Sequence, residues 1–316
     1  MTDEHRPVPQ NDVPEGFRSG VVAVVGRPNV GKSTLINRIL GQKIAAVSPK
    51  PQTTRRRQLG IYTDAQAQIL FLDTPGLHAP QHKLGEFMVK AAESAFRDVD
   101  VILIVLDVSE PPEAGDRHLA DTVARLRGTT PVVLALNKID LLPDVTRRAA
   151  MVAEHSALIP HAAAFETSAV EGTSVEDLVQ DLIARLPEGP LYYPEDQLSE
   201  VNMRVIATEV IREKVMTYTE QEVPHSVAVE IDSYRERSDE LTYIGATIYV
   251  ERDSQKGIVI GKGGERIKKI GSDAREELGA MLGTAVYLEL NVKVLKNWRS
   301  DDRQMARFGY RPSKDD

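Results

Sequence analysis

Two glycine-rich stretches that contain a lysine stand out in this sequence, and both have residue types that bind phosphate groups. Residues 26–33 read G-R-P-N-V-G-K-S, and residues 258–264 read I-V-I-G-K-G-G. Glycine lets a backbone approach a phosphate closely, and lysine supplies positive charge. Ser33 follows the first lysine and offers a hydroxyl for Mg²⁺, whereas glycine follows the second. We therefore expect the two stretches to hold phosphates of different kinds.

The first stretch has the sequence context of a P-loop. An apolar run at 21–25 precedes it, and a helical pattern at 32–40 follows it. Backbone N–H groups at a helix N-terminus bind phosphate oxygens, and the motif's lysine reaches the β- and γ-phosphates. The predicted phosphate-binding residues are Gly26, Arg27, Pro28, Asn29, Val30, Gly31, Lys32, Ser33 and Thr34.

Three further motifs follow in order, each behind an apolar run: D-T-P-G at 73–76, N-K-I-D at 137–140 and T-S-A at 167–169. The carboxylate of Asp140 can accept two hydrogen bonds from guanine that adenine does not offer, and an unpaired buried carboxylate is costly. This predicts GTP rather than ATP as the ligand. The predicted contacts from these motifs are Asp73, Thr74, Pro75, Gly76, Leu77, Asn137, Lys138, Asp140, Ser168 and Ala169.

The four ordered motifs resemble the translation-factor-like class of P-loop GTPases. The resemblance implies a switch loop at Gln52, Thr53, Thr54 and Arg55, with Thr54 as the first choice for a Mg²⁺ ligand and Thr53 as the alternative. The implied Mg²⁺ site therefore consists of Ser33, Thr54 and Asp73, and Asp73 would bind the ion through a water molecule. The Gly76 N–H would sense the γ-phosphate. Bound GTP would order the Thr53/Thr54 loop and the Asp73–Leu77 loop, and hydrolysis would release both.

Catalysis must depart from the Ras pattern, because Leu77 stands where Ras-like enzymes have a water-orienting glutamine. Asn29 resembles an asparagine that holds a potassium ion in related GTPases, and this ion would supply the charge of an arginine finger. The alternative role of Asn29 is to cap the loop backbone. The predicted catalytic set is Lys32, Thr54, Gly76 and Asn29.

The elements that would position these motifs alternate along residues 20–186. Continuous apolar strands separated by helices are typical of a parallel sheet covered on both faces. This predicts a doubly wound α/β domain, preceded by a flexible tail at 1–19. The predicted strands are 21–25, 69–72, 101–106, 132–136 and a weaker 163–167, and the predicted helices are 32–40, 84–97, 116–127, 145–157 and 174–186.

A second domain is predicted at 198–316, after a proline-containing linker at 187–197. Its pattern is α-β-β-α-α-β with one sheet face covered, and Ser254 is a candidate cap of the helix before the second glycine stretch. A G-x-x-G between two helices is typical of a KH module, here of type II, which holds single-stranded nucleic acid. The predicted RNA-binding residues are Ile258, Ile260, Gly261, Lys262, Gly263, Gly264, Arg266, Lys268 and Lys269.

Composition and charge narrow the function classes. The 316 residues include no cysteine, which excludes disulfides and thiolate metal sites, and no apolar run long enough for a membrane span. The net charge of −8 argues against nonspecific nucleic-acid binding by the whole surface. Residues 191–251 have 5 Lys/Arg and 13 Asp/Glu, a net of −8, whereas residues 252–311 have 13 and 8, a net of +5. Basic charge is therefore concentrated around the second glycine stretch.

Both modules in this order resemble the Era family of bacterial ribosome-assembly GTPases, over about residues 18–310. The likeness includes Q-T-T-R, D-T-P-G-L-H, V-I-G-K-G-G-E-R-I-K-K-I-G and the closing N-W-R-S-D-D-R-Q-M-A-R-F-G-Y. It implies GTP hydrolysis with Mg²⁺, binding of 16S ribosomal RNA near its 3′ end, and assistance to 30S assembly and rRNA maturation. It also implies a cytoplasmic protein, expected to be a monomer, with peripheral association to the inner face of the membrane.

Two other functions are compatible with parts of the sequence. A tRNA-modification GTPase would need a chemistry-bearing domain, and none remains once the two modules are assigned. An RNA chaperone with a merely structural nucleotide site is disfavoured because Lys32, Ser33, Asp73 and Asp140 are all present. Trp298 and Tyr310 either contact RNA bases or pack against the last strand.

Overall fold

The computed structural model describes residues 13–41, 58–73, 99–194, 203–220, 223–238, 240–308 and 310. The chain divides into two compact units, and residue 201 begins the main part of the second. The predicted helix at 84–97, the switch residues Gln52, Thr53, Thr54 and Arg55, and the motif residues Thr74, Pro75, Gly76 and Leu77 lie outside the described residues.

The first unit is built on a sheet with strand order β2-β3-β1-β4-β5-β6. All neighbouring strands are parallel except β2 and β3. The strands are β1 (Arg18–Val25), β2 (Gln58–Thr63), β3 (Ala67–Asp73), β4 (Val101–Asp107), β5 (Val132–Asn137) and β6 (Ala163–Thr167). The helices are α1 (Lys32–Leu40), α2 (Ala114–Leu126), α3 (Val145–Ser156) and α4 (Val175–Arg185), with a 3₁₀ turn at Ile139–Leu141.

Both faces of this sheet are covered, as predicted for a doubly wound domain. Leu35 of α1 and Leu182 of α4 pack on one face of the sheet, and Leu119 of α2 packs on the other. Alternate residues of β1 contribute to the two cores, Val24 to the first and Ala23 to the second. β1 begins at Arg18, two residues before the predicted domain boundary, and Phe17 is already buried.

One edge of the sheet departs from the parallel arrangement that the sequence predicted. Strand β2 runs antiparallel to β3, and the sequence pattern did not reveal it. It is an edge strand with the sequence Q-L-G-I-Y-T, and it lacks the continuous apolar run of a strand that is buried on both faces. In the short connection to β3, the Asp64 carboxylate accepts the backbone N–H groups of Gln66 and Ala67, at 2.7 and 2.8 Å.

The described part of the predicted linker, residues 187–194, is held against the first unit. Buried Gln68 of β3 accepts the backbone N–H groups of Tyr192 and Tyr193, at 2.8 and 3.0 Å, and donates to the Tyr193 carbonyl at 2.9 Å. The Gly189 N–H also donates to the Phe17 carbonyl. This segment therefore extends the first unit up to residue 194.

The second unit has the predicted α-β-β-α-α-β order with two additional helices, a four-residue one before the first strand and one after the last strand. Its sheet has the order β7-β8-β9, with β7–β8 antiparallel and β8–β9 parallel. Its main core contains Val210 from the first helix, Ile248 from the middle strand of the sheet and Ile270 from the helix that precedes the last strand. The elements are α5 (Met203–Tyr218), α6 (Val223–Ser226), β7 (Ala228–Ser238), β8 (Leu241–Val250), α7 (Asp253–Ile260), α8 (Glu265–Leu282), β9 (Ala285–Val294) and α9 (Asp302–Arg307), with 3₁₀ turns at Lys262–Gly264 and Trp298–Ser300.

Two details of this unit differ from the predictions. Helix α7 already begins at Asp253, so Ser254 is not its cap; the side chain of Gln255 instead accepts the N–H groups of Glu251 and Arg252. The outward face of the sheet is also partly covered, because Phe308 packs on Tyr249 with ring centroids 5.2 Å apart. Among the described residues, the helices are all too short or too polar to span a bilayer.

Candidate nucleotide site and nucleic-acid interface

The P-loop joins the end of β1 to the start of α1, and its two outer glycines have no room for a side chain. A Cβ on Gly26 would lie 2.5 Å from the Val105 carbonyl oxygen, and one on Gly31 would lie 2.3 Å from the side-chain nitrogen of Asn137. Gly31 also has φ 103°, which L-residues with side chains rarely adopt. Asn29 is exposed with φ 67°. The loop geometry therefore depends on the motif's glycines.

Lys32 is buried at the start of α1, where its Nζ donates to the carbonyl oxygens of Gly26 and Arg27, both at 2.9 Å. Burial is the main cause that lowers the pKa of Lys32 to about 8; Asp73 opposes this shift and Arg27 adds to it. The neighbouring Ser33 hydroxyl donates to the Asp73 carboxylate at 2.9 Å. The two predicted Mg²⁺ residues of the described chain are thus adjacent.

Asn137, at the end of β5, connects three of the predicted motifs. Its side-chain amide donates to the Val30 carbonyl at 2.8 Å, and its side-chain oxygen accepts the Ala169 N–H at 2.9 Å. The side chain is buried. The next residue, Lys138, has φ 70°, and its ammonium pairs with Asp107. Asp140 lies half-buried in the following 3₁₀ turn.

The third motif places Ser168 in the interior and Ala169 beside Asn137. The Ala169 N–H, a candidate hydrogen-bond donor to guanine, donates to the side-chain oxygen of Asn137 in this structure. Arg38 of α1 holds this loop by donating to the carbonyl oxygens of Ala169, at 3.1 Å, and Val170. The sequence gives no signal for this role of Arg38, because one arginine on a helix is ordinarily solvated.

Asp107 is a second residue that the sequence analysis missed. It lies at the end of β4, beside Asn137 in the register of β4 and β5, and its carboxylate accepts from Lys138 at 2.5 Å. A signal was present, because Asp107 closes a strand that otherwise reads V-I-L-I-V-L. Polar residues at the carboxyl ends of parallel strands commonly belong to the ligand site of such sheets.

The second glycine stretch forms the predicted turn between two helices. Gly261, Gly263 and Gly264 all have positive φ, at 74°, 60° and 81°. Lys262 is exposed in the turn. Arg266 donates to the Ile258 carbonyl at the end of α7, so in this structure it braces the turn. Lys269 faces Asp273, at 3.9 Å, and lies 5.3 Å from the centre of the Tyr218 ring.

An open groove of about 340 Å³ lies between α8 and β9. Gly271 lies on its helical side, where a Cβ would be 3.4 Å from Leu290 across the groove. The apolar lining comes from Ile267, Leu288 and Leu290. Ile258 and Ile260, which are among the predicted RNA-binding residues, do not line this groove. Of the predicted RNA-binding cations, Lys268 lines the groove, together with Ser272 and Arg275.

Comparison with known proteins agrees with this two-part architecture. Residues 21–138 match the family model described as 50S ribosome-binding GTPase, and residues 222–299 match the KH domain model. The GTPase Era of Thermotoga petrophila is 48% identical over 286 residues, covering 90% of this chain and 95% of that protein. The GTPase Era of Geobacter metallireducens is 48% identical over 298 residues, covering 93% and 98%. The chain belongs to the Era family.

Membership of the Era family makes the chain a GTPase with a KH domain. A solved structure of Era in complex with MgGDPNP and nucleotides 1506–1542 of 16S ribosomal RNA is similar, with TM-score 0.86 and 38% identity, and covers 94% of this chain and all of that one. A single-residue variant of Aquifex aeolicus Era bound to GDP·AlF₄⁻ has TM-score 0.87, 38% identity and the same coverage. The predicted fold class and GTPase activity are therefore confirmed.

Proposed function

We propose that residues 26–34, Asp73, the 137–140 motif and residues 168–169 form the GTP site of this Era-family protein. The observation that carries the proposal is the position of Asn137, which joins the P-loop to the loop of Ala169 through hydrogen bonds of 2.8 and 2.9 Å. Separated motifs that meet in this way form one cleft at the carboxyl ends of the strands, where ligands bind in open α/β sheets. Lys32 then faces the β- and γ-phosphates, and Asp140 the guanine base.

Magnesium fits the same site. Ser33 and Asp73 offer a hydroxyl and a carboxylate, the oxygen ligands that Mg²⁺ prefers, and these groups lie 2.9 Å apart. We assign Ser33 as a direct ligand and Asp73 as a ligand through water, with Thr54 of the switch loop as the expected third. Magnesium neutralises phosphate charge during hydrolysis. Potassium at Asn29 stays a proposal, supported by the exposed position of Asn29 in the P-loop.

For the second unit we propose binding of 16S ribosomal RNA near its 3′ end, in the groove between α8 and β9 and at the G-K-G-G turn. The related Era structure with nucleotides 1506–1542 supports this target. The groove offers apolar side chains to bases, and Lys262 and Lys268 offer positive charge to phosphates. We further propose that the GTP state switches RNA and 30S binding, and that the protein assists rRNA maturation as a cytoplasmic monomer with peripheral membrane contact.

Binding of a single-stranded RNA copied from the 3′ end of 16S rRNA tests this proposal. The full chain is loaded with GDP or a GTP analogue and compared with Lys262→Asp/Lys268→Asp. Arg235→Asp/Lys293→Asp is the matched control, since both residues are exposed on the second unit and the charge change is the same. We expect nucleotide-dependent binding in the parent and control, and at least tenfold weaker binding in the groove variant. Equal RNA binding by all three proteins would show that the RNA does not bind at this groove and turn.

A further inference from the structure

Residues 107–116 connect β4 to α2, and we call them the β4–α2 segment. This segment contributes none of the predicted nucleotide contacts. Three of its carboxylates, those of Asp107, Glu113 and Asp116, nevertheless bind a basic residue of a nucleotide loop. Two different loops are held in this way, through Lys138 of the 137–140 motif and Arg27 of the P-loop.

At the start of the segment, Asp107 fixes Lys138. One carboxylate oxygen accepts from the Lys138 ammonium at 2.5 Å, and the other accepts from the backbone N–H and the hydroxyl of Ser109, at 3.0 and 2.5 Å. The Val108 N–H also donates to the Asn137 carbonyl at 3.0 Å. Both oxygens of Asp107 are thus engaged, and the position of the Lys138 ammonium is set by the segment.

At the end of the segment, Asp116 and Glu113 fix Arg27. The guanidinium is 2.7 Å from an oxygen of Asp116, whose side chain is fully buried, and 2.8 Å from an oxygen of Glu113. The second oxygen of Asp116 accepts the Glu113 N–H at 2.9 Å, so the same carboxylate caps α2. Gly115 leaves room for the arginine stem, because a Cβ there would lie 2.6 Å from Arg27 Cδ.

The two contacts reach the proposed site by short paths. The Arg27 carbonyl oxygen accepts from Lys32, so holding Arg27 also places one of the two oxygens that hold the P-loop lysine. Lys138 lies two residues before Asp140, the proposed guanine reader. Charge-assisted hydrogen bonds are among the stronger polar contacts in proteins, and a site held by such supporting contacts is ordered before its ligand arrives.

We propose that the β4–α2 segment positions both loops of the nucleotide site, with Asp107 acting on the base-reading loop and Glu113 with Asp116 on the phosphate loop. Asp107, Glu113 and Asp116 are positioning residues, which act on the site through their contacts with Lys138 and Arg27. The inference rests on the GTP site proposed above. The role of Asp107 and the role of Glu113 with Asp116 predict different effects on nucleotide selectivity. Only the base-reading loop distinguishes guanine from hypoxanthine, which lacks the amino group that Asp140 would bind.

The test uses three single variants of the full chain, Asp107→Asn, Glu113→Gln and Arg27→Gln. It measures their equilibrium affinities for GDP and for inosine diphosphate (IDP), whose base is hypoxanthine. Asp121→Asn on the exposed face of α2 is the matched control. We expect Asp107→Asn to weaken GDP binding by roughly tenfold and to lower the GDP/IDP affinity ratio. Arg27→Gln should weaken both nucleotides by roughly tenfold with the ratio unchanged, Glu113→Gln by less, and Arg27→Lys should restore part of the loss.

Circular dichroism melting of each variant separates positioning from unfolding. Parent-like affinities and ratios in both Asp107→Asn and Arg27→Gln would overturn the inference, as would an equal change of the ratio in the two. Lys32→Ala distinguishes a failure of the positioning role from a failure of the proposed GTP site. If it binds GDP like the parent, the proposed GTP site itself fails; if it loses GDP while the segment variants do not, only the positioning role fails.

Discussion

The side-chain nitrogen of Asn137 lies 2.8 Å from the carbonyl oxygen of Val30, two residues before Lys32. The contact crosses the sheet from the end of β5 to the P-loop that follows β1. Because Asn137 is buried and also accepts the Ala169 N–H, its amide uses both ends to hold separate loops together. A residue in a predicted base-recognition motif is therefore also a structural link to the phosphate-binding loop.

Replacing Asn137 with aspartate should break that link while keeping the shape of the side chain. The Val30 carbonyl would lose its donor and face a buried carboxylate, which we expect to cost about 2–4 kcal/mol of unfolding free energy and to weaken GDP binding strongly. Urea unfolding and GDP titration measure both effects. Gln66→Glu, an amide-to-carboxylate change at an exposed position, is the control. Stability of Asn137→Asp equal to the control would contradict the linking role.

The lowered pKa of Lys32 predicts an unusual pH dependence of stability. Its folded pKa is about 8, whereas the ordinary pKa of a lysine side chain is 10.5. Below pH 8 both states carry the proton and the cost of burying the charge is fully present. Between pH 8 and 10.5 the unfolded chain binds a proton that the folded chain does not, so this cost, about 3 kcal/mol, disappears as pH rises.

Comparison of the nucleotide-free parent with Lys32→Met isolates this effect from other titrating groups. The variant should be the more stable protein at pH 7, and the difference should shrink by pH 10. Phosphate favours the charged ammonium, so GDP binding near pH 9 should take up a proton in the parent and not in the variant. Calorimetry in two buffers of different ionisation enthalpy measures that uptake. A pH-independent stability difference would show that the Lys32 pKa is ordinary.

Gly271 gives a test of the groove that does not involve charge. It lies inside helix α8, so Gly271→Ala should stabilise the folded protein by up to about 1 kcal/mol. The added Cβ would lie 3.4 Å from Leu290. Gly271→Leu should instead fill the groove and reduce affinity for the single-stranded RNA by at least roughly tenfold, since bases would lose their apolar contacts. Ala280→Leu, exposed on the same helix, should bind like the parent. Equal affinity of both leucine variants would place RNA elsewhere.

The sequence predicted those features that local pattern determines. The buried strands are continuous apolar runs, and the glycines at 26, 31, 261, 263 and 264 occupy backbone positions that exclude or strain other residues. Edge strand β2 was missed, because one buried face leaves no such run. The cap at Ser254 was wrong because the longer side chain of Gln255 reaches the preceding N–H groups instead.

Roles that depend on contacts between distant residues could not be predicted from motifs. Arg266 follows the G-K-G-G turn and reads as an RNA-binding cation, yet it donates to a carbonyl of α7. Lys138 pairs with Asp107, 31 positions away, and Arg27 pairs with Asp116, 89 positions away. Such pairs follow from strand register and loop path, which one sequence does not specify.

The sequence leaves open whether Trp298 contacts RNA or packs in the protein interior. It is fully buried, its indole N–H donates to the Ser226 carbonyl at 2.8 Å, and its ring lies edge-on to Phe308 and stacked on Tyr310. Trp298→Ala should therefore destabilise the second unit by about 3–5 kcal/mol. Trp298→Phe should cost less, because it keeps most of the packing but leaves the carbonyl without its donor.

Unfolding followed by circular dichroism measures both changes, and parent fluorescence adds an independent probe because the chain has one tryptophan. Tyr287→Ala is the control, since this ring is 58% exposed and its loss should cost under about 1 kcal/mol. If Trp298→Ala were as stable as this control and bound RNA more weakly, the indole would be an RNA contact. We expect the opposite order: a large loss of stability, with RNA affinity reduced only as far as the second unit unfolds.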